Sequence, residues 1–163
     1  MATRRDAREW AFQYLFQYDF NPEDSSWNRD RFWAEKETDA RTRRFAEELI
    51  EGVLQNREDL DRRIVGYAEH WDLDRMSGVD RNVMRMALYE MLYRPDIPPI
   101  VSINEAVDIA KHFSTDESGR FVNGILDRAR KDLKRPSRTA EGGEKKTAWP
   151  SGKAPTDLPA VDA

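Results

Sequence analysis

Between Val101 and Leu133 the sequence VSINEAVDIAKHFSTDESGRFVNGILDRARKDL carries two apolar stripes at helical spacing, split by a short acidic turn. Ile103, Ala106, Val107, Ala110 and Phe113 recur at steps of three and four, which puts them on one face of a helix. After the turn, Phe121, Val122, Ile125, Leu126 and Ala129 give a second apolar helix. Ser102 and Glu105 have the spacing of a capping box, so the first helix is expected to begin there. Ser114 and Glu117 repeat that spacing, and Asp116 and Glu117 suit the positive end of a helix dipole. Gly124 lies inside the second helix, where glycine is a poor former. It marks either a close approach by another backbone or ligand, or a tolerated defect.

Upstream, Val79 to about Tyr93 is apolar nearly all round and is expected to be the central helix. Its start carries Asp80 and Arg81 near the free amides, and Glu90 falls inside it. A buried carboxylate is costly alone, so Glu90 needs a neighbouring arginine or a segment to cap. Pro95, Pro98 and Pro99 make a stiff loop out of this helix. The chain opens with a helix from a Thr3 cap to about Tyr18, with Asp6 three residues on. Further helices are predicted over Arg31 to Lys36, from a Thr38 cap to about Gln55, and from Asp59 to about Ala68. Asn21 to Asp30 reads as a loop, and Trp71 and Leu73 as a connector. No strand-like alternation and no solenoid repeat is present, so the fold class is all-α. Residues 1–134 form one domain on this reading, and 135–163, rich in Pro, Gly, Ser, Thr, Ala, Lys and Glu, a disordered tail in which Trp149 is the one bulky residue.

Composition narrows the chemistry. The 163 residues contain no cysteine, which removes disulfides, thiolate nucleophiles and cysteine metal sites and favours the cytoplasm. The opening residues lack the apolar run of a signal peptide, and no segment has membrane-spanning length. His70 and His112 are far apart and in no metal-ligand spacing. There is no glycine-rich phosphate loop and no serine nucleophile elbow, so no catalytic residue, metal or cofactor is assigned and the chain reads as a non-enzyme. The net charge of −4 argues against indiscriminate nucleic-acid binding, so any cationic surface must be local. One candidate is the flank Arg5, Arg8, Phe12 and Phe16 of the first helix. Arginines interleaved with rings can hold phosphates and stack bases. Equally, the two rings can pack on neighbouring helices while the arginines face water, and pattern alone favours that.

The run LDRMSGVDRNVMRMALYEMLYRPDIPPIVSINEAVDIAKHFSTDESGRFVNGILDRA closely resembles the C-terminal half of the bacterial transcription antitermination factor NusB family. RRDAREWAFQYLFQYDF resembles that family's Arg-rich first helix, while 21–70 matches only in helical character. The resemblance implies a compact bundle of two three-helix subdomains. It implies binding of single-stranded boxA RNA in nascent ribosomal RNA transcripts, together with NusE, which is also a small-subunit ribosomal protein. That pair nucleates an antitermination complex on RNA polymerase. A homodimer covering the RNA face is known in the family, and related proteins fuse the domain to RNA methyltransferases, for which this chain has no motif. The implied RNA surface falls here on Arg4, Arg5, Arg8, Phe16, Asp80, Arg81, Ser118, Arg120 and Phe121. Many relatives carry Tyr where Phe16 stands; stacking survives that change and a hydroxyl is lost. The alternative is a protein–protein adaptor that holds the ribosomal-protein partner and itself touches little RNA.

Overall fold

A computed structural model describes residues 2–22, 29–69 and 71–133. His70, the proposed tail 135–163 and Trp149 within it lie outside these residues. The described chain forms seven α-helices: α1 (Arg4–Phe20), α2 (Arg29–Ala34), α3 (Ala40–Gln55), α4 (Arg57–Tyr67), α5 (Gly78–Tyr93), α6 (Pro99–Phe113) and α7 (Asp116–Leu133). A short 3-10 turn, Leu73–Arg75, precedes α5. No strand occurs among the described residues.

The apolar character of α5 decides the arrangement. With Val83, Met84, Leu88, Met91 and Leu92 all buried, it has no solvated face to spare and sits in the middle, touching α1, α3, α4, α6 and α7. Each such side chain contributes about 1.5–3 kcal/mol by leaving water. Around it lie two groups of three helices. In the first, α1 packs on α3, and α2 closes one end by setting Trp33 edge-on to Trp10 at 6.0 Å and Phe32 edge-on to Tyr14 at 5.5 Å. In the second, α6 and α7 pack on α5 and on each other, and α4 lies against α5 and α7. Tyr67 of α4 donates to Asp132 of α7 at 2.9 Å, and burial with that neighbouring carboxylate pushes its hydroxyl pKa up.

Local signals give the ends unevenly. Thr3 caps α1 in a full capping box with Asp6, as its spacing predicts. At α3 the cap is Asp39, whose carboxylate accepts the Thr42 amide at 2.7 Å, one residue after the expected Thr38. The expected start of α6 at Ser102 is corrected: the helix begins three residues earlier, on Pro99, because proline suits a first turn whose amide needs no partner. Ser102 is then buried inside the helix and donates to Glu90. The cap of α7 is Thr115, which accepts the Ser118 amide at 3.0 Å, again one residue later than expected. Gly124 is exposed with open space where a Cβ would stand, so the close approach weighed for it is absent.

Candidate nucleic-acid interface

The start of α5 and the start of α7 face each other across a cleft of about 450 Å³. Ser77 caps α5 by accepting the Asp80 amide at 3.0 Å, which turns the Asp80 side chain into this mouth. Asp80 is only 8% exposed, and its Oδ1 has no hydrogen-bond partner among the described residues. Burial pushes its carboxyl above the usual carboxylate range, against the pull of the Ser118 and Ser77 hydroxyls. On the α7 side, Ser118 and Phe121 line the cleft one turn apart. Phe121 meets Trp71 edge-to-face with ring centroids at 5.9 Å, and Trp71 is 49% exposed. Beside these rings stands Arg75, and Arg120 precedes Phe121 in the chain; both are exposed, and among the described residues neither has a carboxylate in ion-pair range.

Phe16 joins the same surface from α1. Its ring lies over Gly78, where an added Cβ would sit 2.8 Å from the ring edge. Only glycine lets the ring lie this close to the first turn of α5. Phe16 is 38% exposed and tilts on Phe12, which in turn meets Phe113 of α6 at 5.1 Å. The flank of the first helix is therefore split: Phe16 stays open, and Phe12 is core.

The arginines expected beside these rings go elsewhere. Arg8 is 4% exposed and grips Glu90 through two bonds, Nε to Oε2 at 2.7 Å and Nη2 to Oε1 at 2.9 Å. Glu90 thus finds the arginine its burial demanded, and Ser102 donates to the same carboxylate at 2.6 Å. Arg5 is held by Glu105 and Asp108 of α6. Arg4 leaves for the other flank, its guanidinium 4.4 Å from the centre of the Phe45 ring of α3. Arg81 donates to Asp19 at 3.0 Å and to the carbonyl of Met76 at 2.7 Å, so it clamps the turn before α5 to the end of α1. Asp19 also takes Arg57 at 2.6 Å and Asn82 at 3.1 Å. Burial pushes Asp19 up, but Arg85 and Arg81 overcome this and hold its carboxyl below the usual range. The expectation that the N-terminal arginines share one exposed flank with the rings is corrected, since acids on α5 and α6 face α1 and claim two of them. The structure brings Asp80, Ser118, Phe121 and Phe16 together with neighbouring Arg120, and keeps Arg4, Arg5 and Arg8 apart from them.

Residues 5–131 match the model of the NusB family. This chain belongs to the NusB family. It is 47% identical to the transcription antitermination protein NusB of Desulfosudis oleivorans over 82% of this chain and 88% of that protein. It is 43% identical to the protein of the same name from Myxococcus xanthus, over 83% of this chain and all of that one. Among solved structures, NusB of T. maritima superposes with a TM-score of 0.70 at 41% identity, covering 80% of this chain and 92% of that one. The NusB chain crystallised with NusE and double-stranded RNA superposes with a TM-score of 0.69 at 26% identity, covering 78% of this chain and 96% of that one.

Two residues of this NusB-family cleft escaped the sequence reading. Trp71 and Arg75 sit in a connector without periodicity, and only the fold turns them toward Phe121. The available signal was a large apolar ring in a charged linker that no helix needed. Among the described residues no group of His, Asp or Glu is arranged to hold a metal ion, and no helix is long and apolar enough to cross a membrane.

Proposed function

We propose that this chain is a transcription antitermination factor of the bacterial cytoplasm that binds single-stranded boxA RNA of nascent ribosomal RNA transcripts jointly with NusE. The pair then seeds an antitermination complex on RNA polymerase. Family membership supports the role, as do the relatives that carry the antitermination name and the relative crystallised with NusE and RNA. The observation that carries it is the α5–α7 cleft, where open ring faces, a buried acceptor and the Arg75 guanidinium, without a carboxylate partner among the described residues, stand side by side.

In this reading an unpaired base stacks on the open face of Trp71 or Phe121, which is worth about 1–3 kcal/mol per base. Asp80, repelled by phosphate but able to accept from a base amino group, selects what enters, and the Ser118 hydroxyl adds a second polar contact. Arg75 and Arg120 take the flanking phosphates, and Phe16 offers the next ring. Arg81 and Arg8 act as positioning residues: one fixes the turn that sets Asp80, the other fixes α1 against α5. Arg5 is 41% exposed, and a surface ion pair of about 0–1 kcal/mol can be exchanged for a phosphate. No bond is made or broken in this role, so the protein works as a binding factor rather than an enzyme.

The test is a titration of boxA RNA and a scrambled control, with and without NusE. Tighter binding of boxA, lost on Phe121→Ala and Arg120→Ala, supports the reading. If the complex with NusE binds RNA equally well with both substitutions, the chain is an adaptor for the ribosomal-protein partner instead.

A further inference from the structure

Asp19 occupies a position that is unfavourable for α1 by itself. It lies in the last turn of that helix, where the negative end of the dipole disfavours a carboxylate. Its side chain is nonetheless only 9% exposed. The groups that hold it there come from elsewhere in the chain. Oδ1 accepts from Arg57 of α4 at 2.6 Å. Oδ2 accepts from Arg81 at 3.0 and 3.2 Å and from Asn82 at 3.1 Å, and Arg85 approaches it to 3.3 Å. One acid thus gathers three arginines. Arg85 has a second acid in Asp61 at 2.6 Å, whereas among the described residues Arg57 and Arg81 have no acid but Asp19 in ion-pair range.

The partners of Oδ2 lead onward to the aromatic cleft. Arg81 turns its Nη1 to the carbonyls of Met76 at 2.7 Å and Leu73 at 3.3 Å. Those carbonyls belong to the connector that brings Trp71 and Arg75 to the cleft. The connector's own backbone bonds are local, as from the Trp71 amide to Ala68 and from the Arg75 amide to Asp72. Such bonds shape a turn without fixing it on the bundle. Asn82 carries the second branch: it donates to the Gly78 carbonyl at 2.8 Å, in the turn of α5 on which the Phe16 ring lies. Side chains that meet a ligand keep their geometry only where a supporting shell of bonds locks them. We propose that Asp19 is a positioning residue of the cleft: through Arg81 and Asn82 it sets the connector and the first turn of α5 against α1, and so holds Trp71 opposite Phe121. Arg57, on the other oxygen, ties α4 to the same acid and adds stability without reaching the cleft. That Asp19 thereby raises RNA affinity rests on the function proposed above; that it fixes Trp71 does not.

The experiment compares the full chain with Asp19→Asn and Arg57→Ala, at a temperature where circular dichroism shows all three fully helical. The indole N–H signal of Trp71 is followed by NMR and identified by its loss in Trp71→Ala. Asp19→Asn is expected to shift and broaden that signal, and Arg57→Ala to leave it in place, although both variants lose stability. BoxA RNA is then titrated. Asp19→Asn should bind about threefold or more weakly, and Arg57→Ala within about twofold of the natural chain. In the Trp71→Ala background the loss from Asp19→Asn should shrink to less than about twofold, because residues that act through one another are not additive. If Asp19→Asn does not fold, Arg81→Gln cuts the same link and should move the Trp71 signal likewise. A Trp71 signal unmoved in Asp19→Asn and Arg81→Gln, or moved equally by Arg57→Ala, overturns the proposal, as do fully additive losses. A natural chain that binds boxA no better than a scrambled RNA sinks the antitermination reading alone, and the Trp71 signal still decides the role of Asp19.

Discussion

The seam between α1 and α5 and the cleft between α5 and α7 are built from the same materials and finished differently. In the seam, Arg8, Glu90 and Ser102, all buried, satisfy one another through bonds of 2.6–2.9 Å. In the cleft, among the described residues, the Asp80 Oδ1 is buried without a partner and Arg75 has no carboxylate within range. A completed network fixes how two helices meet; an uncompleted one keeps its bonding capacity for something that arrives later.

Breaking the seam has the largest expected effect. Glu90→Ala leaves the buried Arg8 with only Glu105, 3.9 Å away, and should cost about 3–5 kcal/mol, read as a lower midpoint in urea unfolding. A loss below about 1 kcal/mol would show that the seam does not lock α1. In the cleft, Trp71→Ala and Phe121→Ala should each weaken boxA RNA binding by about 1–3 kcal/mol with unchanged helix content. Unaltered affinity for Trp71→Ala would take that ring out of the site.

Two carboxylates sharpen the contrast through pH. Asp19, depressed by Arg85 and Arg81 against burial, lends stability above its ordinary value of 3.8 that is lost as pH falls through its lower folded value. Asp80, raised by burial, has the opposite sign: the stability it supports is present below 3.8 and lost as pH rises through its higher folded value. Asp80→Asn should therefore be at least as stable as the natural chain at neutral pH, while RNA binding falls by about 1 kcal/mol. Asp19→Asn should be less stable at neutral pH and less sensitive to acid. Thermal unfolding across pH 3 to 7 reads both, and a destabilised Asp80→Asn contradicts the unfinished character of the cleft. The smallest effect is expected for Phe16→Tyr, within about 0.5 kcal/mol in stability because the residue is partly exposed. Calorimetry checks it, and a larger loss would mean that the ring is packed more tightly than its 38% exposure indicates.

Much of the fold was legible locally. The Thr3–Asp6 box, the all-round apolar α5 and the stripes of α6 and α7 each state their structure within a few residues. The misread start of α6 has a tertiary cause. Ser102 and Glu105 have capping spacing, but their polar atoms are spent between helices, on Glu90 and Arg5, and not on their own backbone. The same holds for the interface. Phe16, Asp80, Ser118 and Phe121 were implied by the family resemblance, and the structure sets them around one surface, but which arginines stay open was not readable. Arg5 finds its acid 100 residues away and Arg8 finds its own 82 residues away.

The sequence alone determined that this protein is a helical bundle with α5 at its centre, because periodicity and capping act over a turn or two of backbone. Tertiary structure alone decided which of its many charges are spent and which remain available. That choice depends on distances between side chains far apart in the chain, and a charge is cancelled only by what folding brings within a few ångströms of it.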